Sequence, residues 1–153
     1  MYEIHVHIET AAPLERVFEL MSDHESFISG PGARCTLTRP GKSEKNGLGA
    51  VREVDALGLH FLEEVTLFER PRRYDYLVRS ISLKGRRLPF AHDAGWLEFS
   101  ERAGKTRVDW HSRFRVTIPV LGFVIERLSG RKLAAAFLER MAVTKVALEC
   151  SAR

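Results

Sequence analysis

Two histidines near the start of the chain have a spacing at which they could bind a metal ion. In "MYEIHVHIET", His5 and His7 lie two residues apart on the polar face of an alternating strand, together with Glu3 and Glu9. Imidazoles at this spacing could chelate a metal if a neighbouring strand supplied a third ligand. The sequence identifies no such ligand, so we interpret the row as a solvated strand face and predict no metal site.

Glu63 is a candidate for acid–base chemistry. In "LHFLEEVTLFE" it shares a face with Phe61, Val65 and Leu67, and a carboxyl group buried there would have a raised pKa. Glu64 lies on the other face, which is also partly apolar, so a one-residue bulge would exchange the two faces. The sequence therefore leaves open which way Glu63 points.

His92 and Asp93 are adjacent in "LPFAHDAG". Neighbouring strand residues point to opposite faces, so the two side chains cannot form a catalytic dyad. Which of them faces the interior stays open. The sequence contains no GxSxG, HExxH or phosphate-binding loop, so we identify no catalytic residue and predict no cofactor.

A long alternating strand carries further binding candidates. In "TRVDWHSRFRVTI", Trp110 and Phe114 lie on the apolar face with Ser112 between them, and the other face is too charged to be buried as a set. The apolar face is either solid core or a pocket wall, where a small polar residue leaves space and a hydrogen bond for a ligand. Tyr76, in "YDYLVRSISL", is either a core tyrosine or an anchor for the polar end of an apolar ligand.

The elements that position these residues follow the order strand, two short helices, six strands and one long helix. Phe27 lies on the second short helix, and Phe137 and Met141 share an apolar stripe on the helix predicted from Val120 to about Cys150. Gly130 is expected to bend or loosen that helix. Seven strands joined by short turns predict an antiparallel sheet. One helix about 10 Å wide cannot fill its concave face, so we expect a cavity.

Composition limits the classes of function. The 153 residues suit a single domain over 1–153, and a net charge of +4 without a long basic run favours no nucleic-acid partner. The two cysteines form no CxxC motif. No apolar stretch approaches the roughly 20 residues of a membrane span, and the N-terminus has no signal-peptide pattern. We therefore expect a cytoplasmic protein without an integral membrane segment; the sequence does not indicate an oligomeric state.

Five stretches carry a resemblance to a known superfamily: "IETAAPLERVFELMSDHESF", "VTLFERPRRYDY", "LPFAHDAG", "GKTRVDWHSRF" and "PVLGFVIERLSGRKLAAAFLERM". Together they resemble the START-related lipid-transfer superfamily (SRPBCC), in its polyketide cyclase/dehydrase-like branch. The resemblance implies an α+β helix-grip fold, in which a seven-stranded curved antiparallel sheet wraps around the C-terminal helix and encloses a hydrophobic pocket. The candidate ligand-binding residues are Phe27, Glu63, Tyr76, Trp110, Ser112, Phe114, Phe137 and Met141.

Three functional hypotheses follow. The leading one is binding or transport of a hydrophobic small molecule, such as a lipid, a polyketide, a quinone or another aromatic compound. The second is a cyclase or dehydratase, which needs a titratable side chain with a perturbed pKa in the pocket. The third is a protein-interaction module without a ligand, which would show an exposed apolar patch instead of a cavity.

Overall fold

The computed structural model describes residues 1–150, which form eight strands and three helices. The strands are β1 (Tyr2–Thr10), β2 (Ala33–Arg39), β3 (Val51–Ala56), β4 (Leu59–Glu69), β5 (Arg73–Leu83), β6 (Arg86–Arg87), β7 (Phe90–Arg102) and β8 (Lys105–Val116). The helices are α1 (Leu14–Ser22), α2 (His24–Ile28) and α3 (Gly122–Cys150). The last three residues of the predicted domain lie outside the described part.

The sheet is antiparallel throughout the described chain, with strand order β1-β8-β7-β5-β4-β3-β2, and β6 pairs with β5 beside this path. The predicted α+β helix-grip fold is confirmed. The structure has eight strands, where the sequence predicts seven. The additional strand, β6, lies in "KGRRLP", whose pattern predicts a break. Arg86 and Arg87 are both exposed, so no apolar alternation marks them as a strand.

The helix α3 lies along one side of the sheet, where it contacts β1 and β8. Its other neighbour among the helices is α2. At β2 to β5 the helix contributes Leu133, which packs against the buried apolar residues of these strands. No helix within residues 1–150 is long and apolar enough to cross a membrane.

Two apolar clusters form the core. The larger one joins α1, α2 and α3 to the middle strands and includes Phe18, Tyr74 and Leu97. The smaller one lies on β2 to β5 and consists of Cys35, Val54, Phe61 and Ile81. The helix α1 packs its apolar residues into the larger cluster. These residues recur every three or four positions, which places them on one face of the helix. The space between the clusters is where a cavity can form.

Gly130 does not interrupt α3, since the helix runs unbroken from Gly122 to Cys150. Gly130 is buried, and a Cβ added there would overlap the ring of Tyr2 from β1. The glycine allows the helix to approach the first strand closely. The sequence pattern around Gly130 carries no sign of a contact with a residue so distant in the chain.

We expect Gly130→Ala to destabilise the fold by about 1–3 kcal/mol, because overpacking against the Tyr2 ring outweighs the gain in helix propensity. Chemical denaturation with urea measures this change. In a Tyr2→Ala background the same substitution should become neutral or stabilising, by up to about 1 kcal/mol. A destabilisation of equal size in both backgrounds would show that the ring contact is not the cause.

Candidate functional site

A cavity of about 150 Å³ lies between the sheet and α3. Most of its wall is apolar and comes from β3, β4, β5, β7, β8 and α3. Leu57, in the turn between β3 and β4, lines the cavity and is half exposed, so the cavity reaches the surface at this turn. At the same end, Arg140 of α3 donates a hydrogen bond of 2.7 Å to the carbonyl oxygen of Ser29 and so joins the helix to the segment after α2.

Six of the eight candidate residues line this cavity, and two do not. The six are Glu63, Tyr76, Trp110, Ser112, Phe114 and Phe137. Phe27 lies in the larger core cluster, with its ring centroid 5.4 Å from that of Trp110. Met141 is fully buried in the same cluster, one helical turn beyond Phe137. Neither Phe27 nor Met141 lines the cavity, so both contribute core packing rather than cavity wall.

Trp110 forms an aromatic part of the cavity wall together with Phe137. Its ring stacks on that of Phe137 with centroids 3.8 Å apart and planes inclined by 13°. Its Nε1 donates a hydrogen bond of 2.9 Å to the hydroxyl oxygen of Tyr76. The alternation of β8 correctly predicts that Trp110, Ser112 and Phe114 lie on the buried face.

Glu63 points inward and forms a buried ion pair with Arg52. The Arg52 Nε lies 2.7 Å from Glu63 Oε2, and the two residues are only 2% and 8% exposed. They are direct cross-strand partners on β3 and β4. Burial opposes the charge on Arg52, but the Glu63 carboxylate outweighs this and holds the pKa of Arg52 above its usual value.

Glu63 keeps the alternation of Phe61 and Val65, which are both buried, and the two faces of β4 are exchanged only beyond Val65. The pairing with β5 shifts between Leu62 and Glu63 and again between Val65 and Leu67. After the second shift Phe68, not Leu67, joins the core, with its ring centroid 5.3 Å from that of Phe18. Bulges of this kind exchange the two faces within one strand.

Arg52 is a cavity residue that the sequence analysis does not identify. In "VREVDA" it shares a face with Val54, which is buried. A charged residue on an apolar face is the one local sign, and it requires a buried partner of opposite charge. That partner, Glu63, lies on the next strand.

His92 faces the cavity and Asp93 faces outward, where its Oδ1 lies 3.3 Å from Arg115 Nη2. The His92 Nδ1 accepts a hydrogen bond of 3.1 Å from the backbone N–H of Val78, and its Nε2 lies 3.1 Å from Ser112 Oγ. Burial lowers the pKa of His92 to about 4, and the nearby Asp93 carboxylate offsets only part of that effect. The imidazole is therefore neutral at pH 7.

Gly95 allows Tyr76 to reach Trp110. The two residues are cross-strand partners on β5 and β7, and a Cβ on Gly95 would overlap the Tyr76 ring. The ring therefore lies flat over the backbone of β7. Gly95 also faces Ser112 on β8. This close approach, like that at Gly130, has no signal in the local sequence.

The neighbouring strand does bring potential metal ligands to His5, on the outer face of the sheet. His5, Asp109 and His111 place ligand atoms within 4.8 Å of one another. The imidazoles of His5 and His111 are stacked face to face, however, at 4.1 Å and 8°. Arg107 also donates two hydrogen bonds of 2.8 Å to the Asp109 carboxylate. Parallel rings direct their in-plane lone pairs side by side, so this arrangement does not form a tetrahedral site.

We expect Glu63→Ala to destabilise the protein by about 3–5 kcal/mol, because it leaves the buried charge of Arg52 without a partner. The double variant Arg52→Met/Glu63→Leu should recover most of that loss, since both charges are then removed. Urea denaturation measures both. The matched control is Glu64→Ala: Glu64 pairs with Arg39 and Arg79 on the exposed face, and its loss should cost no more than about 1 kcal/mol. Equal losses at positions 63 and 64 would contradict the assignment.

We expect the free energy of unfolding to fall between pH 7 and pH 5. The unfolded chain protonates His92 near its ordinary pKa of 6.5, whereas the folded protein does so only near 4. Acid therefore favours the unfolded state through this window, and the contribution of His92 at pH 5 is on the order of 2 kcal/mol. The fully buried His24, whose pKa burial also lowers, acts in the same direction.

The variant His92→Asn isolates this contribution, since its side-chain oxygen can still accept the Val78 N–H. Denaturation curves at both pH values should show a smaller acid-induced loss for the variant than for the wild type. His60, which lies on the exposed face beside Asp55, is the control position, and His60→Asn should leave the pH dependence close to that of the wild type. Identical pH dependence in His92→Asn would contradict a buried neutral His92.

Comparisons with known proteins agree with this geometry. The chain is similar in structure to TTHA0849 from Thermus thermophilus, at 16% identity and a TM-score of 0.73, covering 99% of this chain and 100% of that one. It is also similar to XoxI from Bacillus cereus, at 16% identity and a TM-score of 0.71, covering 97% and 96%. A START superfamily protein from Mycobacterium smegmatis follows, at 16% identity and a TM-score of 0.67, covering 93% and 98%. Likenesses at this identity show the fold.

A search of curated proteins finds no match to this chain. The sequence profile of one family, described as "Polyketide cyclase / dehydrase and lipid transport", matches residues 1–148, which is nearly the whole chain. The chain therefore belongs to the polyketide cyclase/dehydrase and lipid transport family.

Proposed function

We propose that this protein binds a small apolar molecule with an aromatic ring in the cavity between the sheet and α3. The observation that carries the proposal is the cavity itself, with its apolar wall and the stacked pair Trp110 and Phe137. Protein interiors are otherwise close-packed. A ligand in this space would make contacts with the apolar wall that the cavity residues otherwise lack.

The volume favours one class of ligand over another. A mostly apolar cavity of this size accommodates a benzene-sized molecule, whereas pockets for larger ligands measure about 300–1,000 Å³. The proposed ligand is therefore one ring with a short substituent. Two rings or a long acyl chain would require Phe137, which is half-buried at the cavity wall, to move away from Trp110. The family description, which includes lipid transport and polyketide chemistry, supports an apolar ligand.

The cyclase or dehydratase alternative requires a titratable group in the cavity. His92 and Tyr76 both line it, and burial lowers the pKa of His92 while it raises the pKa of Tyr76. Both shifts favour the uncharged forms. A neutral imidazole can act as a base, but a pKa of about 4 makes His92 a weak one, and its acceptor nitrogen is occupied by the Val78 N–H. This supports binding rather than proton-abstraction chemistry.

The interaction-module hypothesis expects an exposed apolar patch instead of a cavity. The structure has the cavity and, separately, exposed apolar side chains at the start of α3. Val120 is 95% exposed and Phe123 is 70% exposed. These side chains do not line the cavity, so the two hypotheses can be tested independently.

We expect titration with toluene, naphthalene and decanoic acid to show binding of toluene, seen as a change in tryptophan fluorescence and a rise in Tm. Trp96→Phe should keep the fluorescence change, because Trp96 lies on the outer face and stacks on His111 with centroids 4.6 Å apart. Trp110→Phe should lose it. Phe137→Ala should enlarge the cavity and improve the affinity for naphthalene relative to toluene.

Two outcomes would contradict the proposal. If no compound changes the fluorescence or the Tm, the cavity does not bind ligands of this class, and the interaction module becomes the better hypothesis. If toluene binds but the signal survives Trp110→Phe and disappears in Trp96→Phe, the ligand lies on the outer face of the sheet.

A further inference from the structure

We propose that the cavity selects ligands that carry a hydrogen-bond acceptor oxygen, of the kind found in an aryl ketone or a quinone, and that the Tyr76 hydroxyl donates to it. The inference rests on the proposed function and adds the chemistry of the ligand's polar group. It follows from the direction of the hydrogen bonds around Tyr76 and from one unpartnered donor on Arg52.

The donors and acceptors around Tyr76 can be assigned in turn, beginning with a backbone amide. The N–H of Val78 can only donate, so the His92 Nδ1 that it contacts at 3.1 Å is an acceptor. A neutral imidazole has one acceptor nitrogen and one N–H. The proton of His92 is therefore on Nε2, which donates to Ser112 Oγ at 3.1 Å. With its oxygen accepting from His92, Ser112 has its own O–H proton available for Tyr76.

The Tyr76 hydroxyl oxygen accepts a hydrogen bond from the neighbouring strand. Trp110 Nε1 donates to it at 2.9 Å, and an indole N–H cannot accept. Ser112 lies on the same side, since Gly95 is the cross-strand partner of both Tyr76 and Ser112. A hydroxyl oxygen has two lone pairs and one proton. With the Trp110 N–H on one lone pair, the O–H proton has to point away from Trp110, and Tyr76 lines the cavity.

Arg52 adds a second donor to the same wall. Its Nε is engaged by Glu63, and within residues 1–150 its Nη1 is buried without a hydrogen-bond partner. Its guanidinium carbon lies 5.2 Å from the centre of the Tyr76 ring, and both residues line the cavity. A buried donor without a partner is costly, so an acceptor oxygen on a ligand would be stabilised here.

The charge of the wall determines which acceptor fits. The positive charge of Arg52 is already balanced by the Glu63 carboxylate at 2.7 Å. The local charge is close to zero, and a full negative charge on the ligand would face Glu63 as well as Arg52. A neutral carbonyl oxygen needs only the donors, so it matches this wall better than a carboxylate.

The test uses two ligands of equal shape. Acetophenone carries a carbonyl oxygen where α-methylstyrene carries a methylene group, so the pair differs in the acceptor alone. Dissociation constants are measured by calorimetry for the wild type and for Tyr76→Phe. We expect Tyr76→Phe to weaken acetophenone by about 5-fold, the effect of one hydrogen bond, and to change α-methylstyrene by less than about twofold. The carbonyl stretching frequency of bound acetophenone should rise in the variant.

Tyr74→Phe is the matched control. Tyr74 lies two residues away on the same strand and is equally buried, but its hydroxyl donates to the Met21 carbonyl oxygen at 3.0 Å, and it does not line the cavity. This substitution should leave the ratio of the two affinities unchanged. A second variant, Arg52→Lys, keeps the positive charge beside Glu63 and removes Nη1. It should also weaken acetophenone more than α-methylstyrene.

The outcomes separate the inference from the proposed function. If both ligands bind and Tyr76→Phe weakens them equally, acceptor selection is overturned and cavity binding stands. If Tyr74→Phe alters the ratio as much as Tyr76→Phe does, the effect is structural and the inference is also overturned. If neither ligand binds the wild type, the proposed function fails and this inference fails with it.

Discussion

The ion pair between Arg52 and Glu63 is the interaction on which the interior of this protein depends. Two charges out of water are tolerable only when each has its partner in contact, and the pairing of β3 with β4 places these two side chains directly opposite each other. A slip of one residue in that pairing would turn one of them outward and leave the other buried alone. The pair therefore holds the register between β3 and β4.

The same pair also belongs to the wall of the cavity. Arg52 and Glu63 line it together with residues of both apolar clusters, among them Trp110 and Phe61. On the side of β8, the Trp110 N–H is satisfied by the Tyr76 hydroxyl oxygen. The result is a mostly apolar space with a narrow polar strip, formed by Arg52, Glu63 and Tyr76. This is the usual composition of a small-molecule site.

The fold and much of the site could be predicted because they depend on periodicity. Alternation along β8 places Trp110, Ser112 and Phe114 on the inner face, and helical spacing identifies α1 and α3. What could not be predicted depends on contacts between distant segments. The inward position of Phe68 in place of Leu67 depends on a bulge in β4, and the role of Gly130 depends on a tyrosine in the first strand. The buried position of Arg52 can be predicted only when its partner on the next strand, Glu63, is known.

Because Gly95 contacts the Tyr76 ring, substitutions at these two positions are expected to be correlated in evolution. Any side chain at position 95 would occupy the space of the Tyr76 ring, so a lineage that acquires one must first replace the tyrosine with something smaller. That intermediate would leave the indole N–H of Trp110 without its acceptor. A new ligand preference is therefore reached more easily by substitutions around Tyr76 than by replacing Tyr76 itself. We expect the residues of the polar strip to change more slowly in evolution than the aliphatic residues of the cavity wall.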